Sequence, residues 1–247
     1  MGPSGWDSWY GCGLVNAAQA MGLTTSNESA DVIPPITKIT LNGLKGNKLW
    51  YHSDVIVEIT AADNPGGSGV AGSEYSLDSG ATWNTYTSPL TFATELTKYS
   101  VLARSSDNAG NVEGPPALAE FKIDKTPPTL TETVTPNVIE SVKPGEVVWI
   151  NYRGTAEDSG SGTFSPFNTV LIDEYGDLNQ DLGACPWGVV SVEGWCNGND
   201  KDGRTYTVRF TAHDYAGNEA TIDAIVTISH KGAAQHTVNA EVNRPNK

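Results

Sequence analysis

Positive charge is scarce in this chain. Fifteen lysines and arginines stand against 29 aspartates and glutamates over 247 residues, a net charge of −14. Such a surface repels phosphates, which argues against nucleic acid and against an anionic membrane face as partners. Long apolar runs are missing too: none approaches the roughly 18 residues that a spanning helix needs. No charged n-region and apolar h-region open the chain, so no signal peptide is visible. Helical periodicity is nearly absent, histidine occurs four times and cysteine three times. What is plentiful is glycine (26) and proline (14), with many serines and threonines. Turn formers between short alternating runs make an all-β chain.

The chain is organised around a turn that occurs twice, Asp107-Asn108-Ala109-Gly110-Asn111 and Asp214-Tyr215-Ala216-Gly217-Asn218. Before the first, Tyr99, Val101 and Ala103 alternate with Ser100, Leu102 and Arg104. Before the second, Tyr206, Val208, Phe210 and Ala212 alternate with Thr205, Thr207, Arg209 and Thr211. A period of two means half-buried strands, and the Gly-Asn pair lets the chain reverse with positive φ. Other marks travel with the turn. Pro34-Pro35 recurs as Pro127-Pro128, 93 positions on, and Asp63 with Gly67-Ser68-Gly69 as Asp158 with Gly160-Ser161-Gly162, 95 positions on. The turn itself recurs after 107 positions, so the second copy carries an insertion before its last hairpin. A repeat of about a hundred residues fits tandem β-sandwiches. The expected layout is a segment at 1–30, domains at 31–124 and 125–230, and a tail at 231–247. In the tail Val238, Ala240 and Val242 alternate with polar residues, a pattern that allows one extra strand without a partner; a linker to a further domain is the alternative.

Cys185 and Cys196 flank a run that reads as two short strands around Glu193-Gly194. A disulfide between them is expected, which places the chain in an oxidising compartment; two buried thiols are the alternative. Cys12 is left over.

Three stretches resemble known families. Tyr10-Gly11-Cys12-Gly13-Leu14-Val15-Asn16-Ala17-Ala18-Gln19-Ala20 is the one good helical stretch, with a helix expected at about 13–21. It is similar to the last helix of subtilisin-like serine proteases, where Y-G-x-G-x-V-N-A-x-x-A closes the catalytic domain. The family's serine motif, G-T-S-M-A-x-P, is absent, and His52, His213, His230 and His236 are not in its catalytic histidine setting. The resemblance therefore implies a protease parent and a chain that is not itself an enzyme. Ser76-Leu77-Asp78-Ser79-Gly80-Ala81-Thr82-Trp83 resembles the Asp-box of sialidases, in which Asp and Gly fold a hairpin over Trp. Sialidases repeat the box and this chain has it once. With Tyr75 it also resembles the Y-S-x-D-G-G-x-T-W signature of bacterial extracellular Ig-like repeats. Asp173-Glu174-Tyr175-Gly176, then Gly198 to Tyr206, then Asp214 to Asn218 resemble the ordered marks of the same Ig-like modules.

The resemblances imply two tandem Ig-like β-sandwiches behind a short helical remnant, outside the cell or on its surface. Carboxylates in Gly-rich loops are the candidate ligands: Asp173 and Asp177 in one cluster with Glu174 and Asp181, Asp200 and Asp202 in the other. No cofactor is required, and calcium is the one these loops suggest, as a hard cation takes oxygen ligands. An EF-hand fails, since its first position is Gly198 and its twelfth Arg209. Turn aspartates commonly accept backbone N–H groups instead. That is the role expected of Asp63, Asp107, Asp158 and Asp214, while Asp78, Gly80, Trp83, Gly110, Asn111, Gly217 and Asn218 shape their hairpins. A glycan platform could be built from Trp6, Trp9, Trp50, Tyr51, Trp83, Trp187 and Trp195, which otherwise fill cores and hairpins. The expected role is a non-catalytic spacer, stability or adhesion region of a secreted or cell-surface subtilisin-like protease. Two alternatives stand beside it. One is a self-associating filament subunit built by strand addition. The other is a module that binds cell-wall carbohydrate or a surface protein.

Overall fold

The computed structural model describes residues 30–229 and the backbone of 242–243. The expected helix at 13–21, Cys12, Trp6, Trp9, His230, His236 and most of the tail lie outside the described residues. Within them every element is a strand. The first eight are β1 (Ile36–Asn42), β2 (Trp50–Tyr51), β3 (Val55–Ala62), β4 (Val70–Ser76), β5 (Asn84–Thr85), β6 (Leu90–Phe92), β7 (Leu96–Asp107) and β8 (Ala117–Ile123). The next eight are β9 (Thr129–Thr135), β10 (Val138–Glu140), β11 (Val147–Glu157), β12 (Thr163–Asp173), β13 (Asn179–Gly183), β14 (Trp187–Glu193), β15 (Arg204–Asp214) and β16 (Glu219–Ser229).

These strands make two sheet pairs of the same design. The orders β1-β3-β6 and β2-β8-β7-β4-β5 in the first pair become β9-β11-β14 and β10-β16-β15-β12-β13 in the second. Each strand has its counterpart eight places later, including the parallel pairs β2–β8 and β10–β16. The protein is thus all-β, two sandwiches in tandem.

The alternation in sequence decides what each sandwich encloses. Val55, Val57, Val101, Ala103, Phe121 and Ile123 close the first core, where Phe121 stacks on Tyr99 and meets Tyr51 and Phe92 edge-on. Ile150, Leu171, Tyr206, Val208, Val226 and Ile228 close the second. Offset and edge-to-face rings are the arrangements their quadrupoles favour. Phe210, Ala212 and Ile222 form a further cluster at one end.

Both organising turns close antiparallel hairpins, β7–β8 and β15–β16. Gly110 and Gly217 sit at φ 90° and 101°, where a Cβ is strained. The Asp-box segment is also a hairpin. Asp78 accepts from the Thr82 amide (2.9 Å) and hydroxyl (2.6 Å) and from the Ser76 hydroxyl (2.7 Å), which holds its carboxyl down at about 2. Trp83 lies under the Arg104 guanidinium at 3.9 Å.

Two expectations are corrected here. Cys185 is exposed and Cys196 buried, and no disulfide joins them. The residues between them form one strand, β14, and not two. Seven residues at roughly 3.3 Å each hold the cysteines at opposite ends of the strand, far beyond the 7 Å limit for a bridge. The tail strand has a partner after all: Val242–Asn243 (β17) runs antiparallel to β16, opposite Ile222 and Thr221.

Candidate metal centres

The carboxylates expected as cation ligands form no group of three among the described residues. Asp173 is spent on an ion pair: its carboxylate takes both Nε (2.9 Å) and Nη2 (2.8 Å) of buried Arg204. Burial pushes the Asp173 carboxyl up, and the hydrogen bonds and charge of Arg204 outweigh it, leaving the pKa lowered. Arg204 also donates to Glu193 (2.7 Å) and reaches exposed Asp177 at 3.5 Å. Asp200 accepts from the Tyr175 hydroxyl, and Asp202 is exposed. The cationic partner that sequence spacing could not reveal is the reason: Arg204 claims the loop for itself.

Two other clusters gather instead. Asp31, Asp63 and Asp107 place ligand atoms within 4.8 Å of one another, and so do Asp124, Asp158 and Asp214. The two groups match position for position. In each, the first aspartate precedes the Pro-Pro pair, the second opens the Gly-rich loop and the third opens the repeated turn.

The turn and loop chemistry explains how like charges are held this close. Asp31 accepts from the Ser68 amide (2.8 Å), Asp63 from Gly69 (2.6 Å) and Asp107 from Asn111 (2.8 Å). In the second cluster Asp124 accepts from Ser161 (2.5 Å), Asp158 from Gly162 (2.5 Å) and Asp214 from Gly217 (2.7 Å) and Asn218 (2.8 Å). The asparagine amides complete each frame. Asn111 donates to the Asp31 carbonyl and to Asp107, and Asn218 to the Asp124 carbonyl and to Asp214. The glycines are required for closure: a Cβ on Gly67 would meet Asp63 Oδ2 at 2.6 Å, and one on Gly160 would overlap the Asp124 carboxylate.

Backbone amides do not neutralise charge, and no lysine or arginine among the described residues pairs with any of the six. Asp107, Asp124 and Asp214 are 3%, 2% and 1% exposed. The Asp158 carboxyl is pushed up, first by burial and then by the charges of Asp124 and Asp214, against the Gly162 and Gly160 amides. Buried charges are normally paired or bound to a metal. Hard oxygens in a flexible, all-carboxylate cage are the donor set for calcium. The residues present therefore fit a calcium ion in each cluster.

The second cluster also spans the joint between the sandwiches. Asp124 directly follows β8, with its amide on the Tyr51 carbonyl (2.9 Å), while Asp158 and Asp214 belong to the next sandwich. Around it the loop 43–49 reaches across. The Asn47 amide donates to the Tyr215 carbonyl (2.8 Å), and Lys48 Nζ stands 3.6 Å over the Tyr215 ring. Lys48 and Leu49 hold left-handed backbone, at φ 49° and 66°, to make this contact. Lys125 and Thr126 are tied back to Asp54 and Glu95.

Sequence reasoning missed Asp31 and Asp124. The signal was available: they are 93 positions apart, the offset already seen in the Pro-Pro pair.

No family model matches the chain. Exoglucanase B of Cellulomonas fimi is 27% identical over 214 residues, 84% of this chain and 18% of that protein. The chain thus spans less than a fifth of that relative's length. Among solved structures, the fibronectin(III)-like modules of Clostridium thermocellum CbhA give a TM-score of 0.41 at 13% identity, covering 82% of this chain and all of that one. A Ca2+-stabilized adhesin of an Antarctic bacterium that binds ice gives 0.42 at 18% identity, covering 80% and 50%.

Proposed function

We propose that this chain is a non-catalytic, extracellular pair of β-sandwich modules that spaces and stiffens a larger secreted protein, with calcium at the head of each module. The observation that carries this reading is the duplicated aspartate cluster whose second copy takes Asp124 from one sandwich and Asp158 and Asp214 from the next. A cation there would tie the modules together and relieve the repulsion among three carboxylates.

The parent protein is a degradative enzyme. The likeness to an exoglucanase over a minor part of its length supports an accessory region beside a catalytic one. The Y-G-x-G-x-V-N-A pattern at Tyr10 to Ala17 supports a subtilisin-like protease as that enzyme. In either case this chain is the spacer. The test is thermal unfolding of the metal-stripped chain with calcium and with EGTA, beside hydrolysis assays on casein and a soluble glucan. Calcium is expected to raise the midpoint, less so in Asp124→Asn, and neither polymer is expected to be cleaved. An unchanged midpoint would remove calcium, and hydrolysis by the purified chain would remove the spacer reading.

A further inference from the structure

The outer face of the sheet β14-β11-β9 bears an aromatic stripe that the spacer role does not use. Trp149 on β11 is 64% exposed and Trp187 on β14 is 66% exposed, with Val147 and Val189 exposed beside them. Both indoles lie on the outward-pointing positions of neighbouring strands. Trp187 is opposite Arg153, four residues along β11 from Trp149. At roughly 3.4 Å per residue the rings are about 14 Å apart along the strand. Beside Trp187 a shallow cavity of about 560 Å³ is lined by Asn151, Tyr152, Arg153, Trp187, Gly188 and Val189, and Trp149 stands outside that lining.

Other described tryptophans are occupied otherwise. Trp50 is buried, Trp83 lies under Arg104 and Trp195 is half-buried. The rings of Trp149 and Trp187 have no such cover among the described residues. Nor does the fold require them. Ala62 is opposite Ile36 as Glu157 is opposite Thr129, so the register puts Asp54 where Trp149 stands and Glu58 where Arg153 stands. The same sandwich is therefore built without an aromatic at that place.

The chemistry of the stripe selects its occupant. A contiguous exposed apolar patch with a few polar groups marks a binding face. In a chain of net charge −14 this one has Arg153 as its central charge. Exposed Thr131, Thr133 and Thr135 of β9 lie alongside, uncharged, with the Thr131 hydroxyl shared with Thr155 and that of Thr133 donated to the Arg153 carbonyl. A neutral polysaccharide meets each element: its flat C–H faces stack on the two indoles, and its hydroxyls meet Arg153, Asn151 and the threonine row. We propose that this face of the second sandwich binds a neutral polysaccharide chain, with Trp149 and Trp187 as the two stacking platforms. The site goes beyond the spacer role and does not depend on calcium.

The test is a pull-down of the full chain on microcrystalline cellulose and on chitin, with affinity electrophoresis in hydroxyethyl cellulose. Each is run in calcium and in EGTA, and each with Trp149→Ala and Trp187→Ala. Retention on at least one polymer is expected. Either substitution should weaken it about tenfold while leaving the melting midpoint unchanged, since both rings are exposed. The two solids and the soluble glucan distinguish the sugar source. No retention on any polymer, or retention unaffected by both substitutions, would overturn the proposal. So would a sedimentation profile showing a dimer that Trp149→Ala dissolves, because the stripe would then seat a second copy. Loss of binding with an intact calcium response would leave the spacer reading standing.

Discussion

At the scale of single residues, two buried acids in the second sandwich, Asp173 and Glu132, make opposite predictions. Arg204 holds Asp173 with both side chains almost wholly buried. Removing one partner of such a pair strands the other, at a cost of about 3–5 kcal/mol. Arg204→Met is therefore expected to destabilise the chain by that amount at neutral pH in urea unfolding. The Asp173 pKa is lowered in the fold, so its contribution is present above its ordinary value of 3.8 and fades as pH falls below it. The deficit of Arg204→Met should accordingly shrink in acid, where Asp173 takes up a proton.

Glu132 runs the other way. It occupies, by register, the place of Ile39 in the first sandwich, and Gly154 opposite it occupies that of Ile59. Both its carboxylate oxygens are buried without a partner, and burial pushes its pKa up to about 8. An acid raised in the fold is protonated there while the unfolded chain is charged. Stability is thus full below about 4.5 and is lost as pH rises to about 8. Glu132→Gln should exceed the wild type in stability at pH 8 and lose that advantage at pH 4.5. Equal curves at both pH values would show that Glu132 finds a partner.

At the scale of elements, strands were legible because one face of each is buried, and the period of two follows directly. Val101 and Ala103, and Tyr206 to Ala212, are enclosed as the alternation requires. What the alternation does not carry is length and partner. The span from Cys185 to Cys196 reads as two strands from local turn residues, yet pairing with β11 from Val147↔Glu193 to Arg153↔Trp187 keeps β14 straight and separates the thiols. The Asp-box hairpin was legible because its hydrogen bonds are local. The aspartate clusters were legible only in part. The loop and turn aspartates announce themselves by the repeat, and Asp31 and Asp124 share its 93-residue offset, but that they join the other four is decided by tertiary contact. Trp149 reads as an ordinary strand residue, since alternation does not say which face lacks cover. Gly110→Ala and Gly217→Ala test the turns themselves. Each forces a Cβ into left-handed backbone and should cost about 1–2 kcal/mol in urea unfolding. No loss in either would mean the turn relaxes freely.

At the scale of the whole molecule, the two sandwiches have one topology and one joint. The Gly46 backbone passes so close to the Ala216 carbonyl that a Cβ there would overlap it. Gly46→Ala should leave each core intact while loosening the joint, read as faster proteolysis at 124–128 with little change in melting. Unchanged proteolysis would mean the loop 43–49 does not brace the modules. The described residues contain no helix long and apolar enough to cross a membrane. The chain as a whole carries a net charge of −14. On the proposed spacer role, the joint is where the rigidity of the pair would be decided.

The most direct measurement is calorimetric titration of calcium into the metal-stripped chain. Two saturable sites are expected, with one remaining in Asp124→Asn, because that carboxylate belongs to the cluster at the joint alone. A titration of the wild type indistinguishable from buffer would contradict the idea that cations hold these modules in line.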